Sequence, residues 1–301
     1  MSVFVQQQHT VCSFTTSDSW VILSPIEQSI KQKIEAVGTP LKDWNIQINY
    51  GIKTGYNDAF IIDTDKRNEI LSQTADYVMG QSLKDYDPNG EYARTAELIR
   101  PILRGRDIKR YGYNWAGLYL IATFPSRHYD IEKYPAVKNY LLEFGVERLE
   151  QTGKSYIING ETIKARKKTN NKWFETQDSI SYWDLFFQPH ICWKAVGRNL
   201  AFALVESGTF LTAPASFISA GIYNKTVLAF LCSTVGTYFI YKNSDTTGAG
   251  DIMLNIQSLV KFPIPQLDVD FDSVSDSEIN QYIYDIYKFT REEILYIEEQ
   301  V

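Results

Sequence analysis

The sequence predicts a mixed α+β fold, β-rich through its middle and helical towards its C-terminus. Tyr (20) and Phe (16) are abundant while Met (3) is scarce, a bias that suits pleated surfaces better than helical bundles. Apolar residues between 46 and 222 come in short runs, several of them alternating, whereas the run from Lys225 to Tyr241 and the acidic stretch from Asp276 to Gln300 have helical spacing. With 301 residues, 44% hydrophobic and 22% charged, the chain is globular and long enough for one large domain or two smaller ones. The expected division is a connector with one helix (1–45), a β-rich domain (46–222) and a helical region (223–301).

Val3–Val5 and Trp20–Leu23 are short β-like runs. Ser24-Pro25-Ile26-Glu27 starts a helix, with Ser as N-cap, Pro at its first position and Glu closing a capping box. That helix buries Ile26, Ile30 and Ile34 and stops at Gly38-Thr39-Pro40. Ile46 to Tyr50 alternates as a half-exposed strand, Gly51 and Gly55 bracket a tight turn, and Asp58 to Ile62 returns as a second strand. Residues 64–97 read as a polar loop with helical pieces, and Glu97 to Leu103 as a short helix or strand broken by Pro101. Leu118 to Thr123 is an interior strand. Tyr134 to Glu150 is an amphipathic helix facing inward through Val137, Leu141, Leu142 and Phe144, and a polar, basic segment follows to Lys172. Trp173 to Tyr182 and Leu185 to Trp193 hold aromatics and a Pro that suggest a strand ending in a packed corner, and Phe202 to Val205 and Phe217 to Ser219 are further strands. Lys225 to Tyr241 is one long apolar helix, Gly248-Ala249-Gly250 a turn between helices, and Asp276 to Gln300 one or two acidic helices.

The net charge of −6 is unevenly placed. From Gln266 onward ten Asp/Glu face only Lys288 and Arg291, a balance of −8, so the preceding 265 residues carry +2. Fields at a surface follow such local clusters and not the global charge. Cys12, Cys192 and Cys232 form no Cys-x-x-Cys pair, so a reduced, cytoplasmic protein is expected. No apolar run is long enough to span a membrane.

Signals for catalysis are thin. The chain has no Pro-Pro and no Gly-x-Gly-x-x-Gly, which removes the usual loops for a flipped adenine and for a dinucleotide-type cofactor. Asp107-Ile108-Lys109 has the Asp-x-Lys form of metal-dependent nucleases, but a match this short fits a basic loop better. His9, His128 and His190 are far apart, His190 reads as a packed core histidine and Cys192 as a buried, inert thiol.

Binding surfaces are better signalled. Arg100, Arg104, Arg106, Lys109 and Arg110 lie within eleven residues, ahead of Tyr111 and Tyr113. Lys164, Arg166, Lys167, Lys168 and Lys172 form a second cluster, and Lys194, Arg198 and Asn199 a thinner third. One such cluster is as readily a solvated face; two in a chain without a catalytic motif favour an anionic polymer.

Gly51 to Gly55 followed by Phe60-Ile61-Ile62, then Leu98-Ile99-Arg100-Pro101-Ile102-Leu103-Arg104-Gly105-Arg106-Asp107-Ile108, carries a resemblance. Later landmarks are Lys172 to Glu175, Ile191 to Lys194, Phe210 to Thr212 with Ser216 to Ile218, and Phe262-Pro263-Ile264-Pro265. In this order, over roughly residues 40–301, the chain resembles the TaqI-like target-recognition (specificity) domain of adenine-N6 DNA methyltransferases and type II restriction-modification enzymes. The likeness to type I specificity subunits is more distant. The resemblance implies a clamp that reads double-stranded DNA and is non-catalytic by itself. It would serve a methyltransferase, in some enzymes with a nuclease, either in cis or as a subunit. S-adenosylmethionine is then expected in that other domain, with no cofactor in this chain, and the helix at Ser24 to Val37 favours a fragment over a stand-alone subunit. Expected DNA contacts are Lys53, Thr54, Tyr56 and Asn57 in the turn, and Arg104, Arg106, Lys109 and Arg110 in the first basic loop. Lys164, Arg166, Lys167, Lys168 and Lys172 join them, as do Lys194 and Arg198. A docking module for a methyltransferase, acting through the acidic C-terminal helices, and a nuclease fragment built on Asp107 are the alternatives.

Overall fold

The structure is a computed structural model and describes residues 23–301. Val3–Val5, His9, Cys12 and all of the Trp20–Leu23 run but its last residue lie outside the described residues. The fold is mixed α+β, and the chain divides into two compact units. One is Gln47–Asn224. The other joins Lys225–Val301 to Met1–Ile46, of which residues 23–46 are described.

Ten of the strands in the Gln47–Asn224 unit build its two four-stranded sheets and a hairpin: β1 (Gln47–Tyr50), β2 (Ile61–Asp63), β3 (Ile99–Leu103), β4 (Leu118–Ile121), β5 (Ser155–Ile158), β6 (Glu161–Lys164), β7 (His190–Trp193), β8 (Phe202–Val205), β9 (Phe210–Leu211) and β10 (Ser216–Ser219). One four-stranded sheet has the order β8-β7-β10-β1, all antiparallel, and a second has the order β9-β3-β4-β2 with β9 parallel to β3. The two runs expected to pair across the Gly51–Gly55 turn therefore belong to different sheets. Asn57–Phe60 is a helical turn instead of a strand, because Thr54 Oγ1 donates to Asn57 Oδ1 (2.7 Å) and accepts from Tyr56 N (3.1 Å), curling the chain locally. Pro101 is tolerated inside β3 because it falls at a handover. Ile99 to Pro101 pair with β4, while Ile102 and Leu103 pair with β9.

The expected helix from Tyr134 to Glu150 is two pieces, Pro135–Leu142 and Val146–Leu149. Gly145, at φ +79°, breaks it, and Leu142 is left exposed instead of facing inward. Residues 64–97 hold two regular helices, Thr64–Ser72 and Glu91–Leu98. Phe60, Phe124, Phe186, Phe210 and Phe217 form the fully buried centre, with the Phe186 and Phe210 rings stacked at 4.3 Å. All four β7 residues are buried, as an interior strand requires.

Gly51 is fixed by contact. A β-carbon there would lie 2.5 Å from the Thr212 carbonyl carbon. Gly51→Ala is thus expected to destabilise the unit by about 1–3 kcal/mol through overpacking, read as a lower denaturant midpoint at unchanged slope.

In the second unit, helix Pro25–Val37 has the expected capping box: Ser24 Oγ accepts from Glu27 N and the Glu27 carboxylate accepts from Ser24 N. Ile30 and Ile34 are buried, but Ile26 only half so. The single helix expected over Lys225 to Tyr241 is two, Asn224–Cys232 and Thr234–Asn243. Ser233 is extended between them and caps the second, its Oγ accepting from Gly236 N at 3.0 Å. The acidic stretch forms Asp276–Tyr287 and Arg291–Glu299, each opened by a capping box, Ser275 with Glu278 and Thr290 with Glu293. Gly248-Ala249-Gly250 turns a short hairpin, Asp245–Thr246 with Ile252–Met253, and not a helix pair. Among the described residues no helix is long and apolar enough to cross a membrane.

Candidate nucleic-acid interface

Three basic segments leave the two sheets at one end. Ser216, the first residue of β10, faces both Tyr50 at the end of β1 and Trp193 at the end of β7. Beyond β1 the chain continues to Ile52, which bridges Thr212 in parallel, and Thr212 N donates to Leu103 O at the end of β3 (2.9 Å). The residues that follow these strand ends are Lys53, Arg104 and Lys194. Clusters 50 to 140 positions apart in sequence are thereby brought to one edge. A methyl group on Gly105 would meet Lys194 Cβ at 3.4 Å, so the Arg104–Asp107 turn and the start of the 194–198 loop touch.

The Arg104 loop is internally braced. Asp107 Oδ2 accepts from Arg104 N (2.8 Å) and Nε (3.0 Å), and Oδ1 from Nη2 (2.8 Å). Burial alone would raise the Asp107 carboxyl, but these Arg104 bonds outweigh it and hold it below the usual range. Both carboxylate oxygens are committed to Arg104, and Lys109 Nζ donates to Arg106 O at 3.1 Å. Asp107 thus shapes the loop. Arg106, Lys109 and Arg110 are exposed, with Arg110 over the Tyr111 ring at 4.6 Å.

Around the Gly51–Gly55 turn, Lys53 and Asn57 are exposed and Tyr56 is half-buried under Arg148, 4.5 Å above its ring. Two expected contact residues point inward instead. Thr54 is buried, its hydroxyl spent on the local helical turn. Arg166 is 4% exposed. Its Nε donates to Leu149 O (2.7 Å), Nη1 to Thr54 O (2.9 Å) and Glu175 O (2.8 Å), and Nη2 to Trp173 O (2.7 Å). Burial pulls this guanidinium down to about 10, which leaves it charged at neutral pH. A cation so enclosed cannot reach a phosphate. Its neighbours Lys164, Lys167, Lys168 and Lys172 are exposed, as is Arg198, whereas Lys194 is half-buried.

Residues 152–172, read from sequence as a plain basic segment, contain a β-hairpin. β5 and β6 pair over Ser155↔Lys164 to Ile158↔Glu161, joined by Asn159 (φ +50°) and Gly160 (φ +83°). Asn-Gly with both residues left-handed is the signature of a tight primed turn, and that dipeptide was the signal available for finding it.

His190 and Cys192 sit in the core. His190 Nδ1 lies 2.9 Å from Gln188 O, and burial holds its ring below the ordinary histidine value. Burial pushes the Cys192 thiol up to about 12. Native protein is therefore expected to leave Cys192 unalkylated at neutral pH while unfolded protein labels it fully, as peptide mass spectrometry would show. Among the described residues no group of three His, Cys, Asp or Glu is arranged to hold a metal ion.

No curated protein matches the chain. Among solved structures it is similar to the type IIG restriction endonuclease BpuSI, at 13% identity and a TM-score of 0.49, over 91% of this chain and 31% of that one. It is similar also to the type IIL restriction-modification enzyme MmeI in complex with DNA, at 11% identity and a TM-score of 0.49, over 87% and 35%. The chain spans about a third of the length of these structures. The family model of the TaqI-like C-terminal specificity domain matches residues 100–264, a span that takes in the braced basic loop, the hairpin and β7 to β10. With more than half of its length inside that match, the chain belongs to the TaqI-like C-terminal specificity domain family.

Proposed function

We propose that this chain reads double-stranded DNA in a sequence-specific way, as the recognition part of a restriction-modification enzyme. The observation that carries the reading is the delivery of the basic segments that begin at Lys53, Arg104 and Lys194 to one edge by three strand ends, in a member of a specificity-domain family. Lysines and arginines gathered this way neutralise phosphates and set register, while flanking polar side chains are free to address base edges. In this reading the chain is non-catalytic itself. It serves an adenine-N6 methyltransferase, with or without a nuclease, carried in cis or as a partner subunit, and works in the cytoplasm. S-adenosylmethionine belongs to that catalytic partner, and no cofactor is assigned to this chain. Lys53, Tyr56, Asn57, Arg106, Lys109, Arg110, Lys164, Lys167, Lys168, Lys172, Lys194 and Arg198 remain the proposed contacts, with Arg104 bracing its loop.

The test is retention of a randomised duplex pool by the purified chain at two salt concentrations, followed by sequencing. Enrichment of a short motif, with affinity falling steeply as salt rises through counterion release, supports the reading. Absence of binding even at low salt would overturn it.

A further inference from the structure

The β5–β6 hairpin has one face that the protein uses and one that it does not. Tyr156, Ile158 and Ile163 are half-buried on the inner face, and Tyr156 Oη donates to the Glu150 carboxylate at 2.7 Å. On the outer face Ser155, Ile157, Thr162 and Lys164 are all exposed, with Ser155 opposite Lys164 and Ile157 opposite Thr162. Ile157 is 81% exposed, at the centre of a face that carries two hydroxyls, one ammonium and no carboxylate. The pairing continues below the hairpin: Ala165 N donates to Lys154 O (2.9 Å) and Gly153 N to Arg166 O (2.8 Å). Each arm from Gly153 to the Asn159-Gly160 turn is thus six residues, roughly 20 Å of ribbon. Its base is pinned by Arg166, whose guanidinium is fastened to Thr54 O beside exposed Lys53. Lys154, Lys167 and Lys168 flank that base and are exposed.

We infer that this hairpin is a major-groove reader whose outer face supplies the base contacts. The inference rests on the DNA-recognition reading above and adds the element and residues that set sequence preference. A B-DNA major groove is about 12 Å wide and admits a two-stranded ribbon. The ribbon's lysines lie at its base, where phosphates line the groove, and its hydroxyls and isoleucine lie along the shaft. Ser155 and Thr162 can donate to or accept from base edges, and Ile157 offers an apolar surface to a thymine C5-methyl group, a feature that is displayed only in the major groove. A docked protein would want more apolar area than one isoleucine, and a single-stranded nucleic acid would want an aromatic platform; the outer face has neither.

The experiment selects from a randomised duplex pool with the full chain, with Ile157→Ala and with Thr162→Ala. Both substitutions are on the solvent side of the ribbon, and an unchanged salt slope on bulk duplex verifies that each variant keeps its phosphate contacts. Wild type is expected to enrich a motif. Each variant should lose preference at one or two adjacent positions by about fivefold or more, in line with the cost of a mismatched base pair. Uracil in place of thymine at the position lost by Ile157→Ala should weaken wild type and leave that variant unaffected. Identical motifs from all three proteins would overturn the hairpin assignment while the DNA reading stands. Failure of wild type to enrich any motif would overturn both.

Discussion

Replacing Arg166 with Ala is expected to cost about 3–5 kcal/mol of stability, since it strips a buried cation from four carbonyl partners. Each orphaned buried acceptor alone costs about 1–3 kcal/mol, and water entering the vacated space recovers part of the sum. Arg166→Lys should recover little. A single ammonium at the end of a flexible stem cannot span Leu149, Thr54, Glu175 and Trp173 as a planar fork does. Chemical denaturation followed by tryptophan fluorescence measures this directly, Trp173 and Trp183 lying in the same unit. A loss below 1 kcal/mol in the Ala variant would show that the guanidinium is not the pin described above. DNA affinity of the still-folded fraction is a separate readout, and it should change far less than for a true phosphate contact.

The second large effect is on binding. A triple variant with Lys53, Arg106 and Lys109 all changed to Ala removes three exposed cations from the shared edge. If each neutralises one phosphate, the slope of log affinity against log salt should shallow by about 2.7, at about 0.9 per contact. Affinity at low salt should fall by several orders of magnitude while the unfolding midpoint stays near that of wild type. Surface substitutions away from buried networks move stability by only about 0.5 kcal/mol each. An unchanged slope would remove this edge from the interface.

Local chemistry was the legible part of the sequence. The Ser24–Glu27 capping box sits where its four residues imply, and the strands at Leu118–Ile121, His190–Trp193 and Phe202–Val205 follow from unbroken apolar or aromatic runs. What failed was set by distance. The Ile46 to Ile62 stretch looks like two strands around a turn, yet its halves pair with Ser216–Ser219 and Leu118–Ile121 in separate sheets. Ser233 inside an apolar run reads as an interruption to be tolerated, but its hydroxyl caps a new helix. Arg166 has the same sequence neighbourhood as Lys167 and Lys168. Only the carbonyls of Thr54, Leu149, Trp173 and Glu175, gathered round it by the fold, separate a structural cation from two surface ones. The basic clusters were visible as composition, and their meeting at one edge was not, because it depends on Ser216 facing two strands at once.

That edge also has a history within each molecule's synthesis. Ile52 and Leu103 acquire their neighbours Thr212 and Leu211 only after more than a hundred further residues have been made, and Tyr50 and Trp193 wait for Ser216. On a ribosome adding about 5–20 residues per second, Lys53 and Arg104 leave the exit tunnel seconds before the strand segments that will align them exist. Pairings across such sequence separations are slow to form. The basic edge is thus among the last features of its unit to mature, and a nascent chain halted before residue 210 carries the charges without the surface.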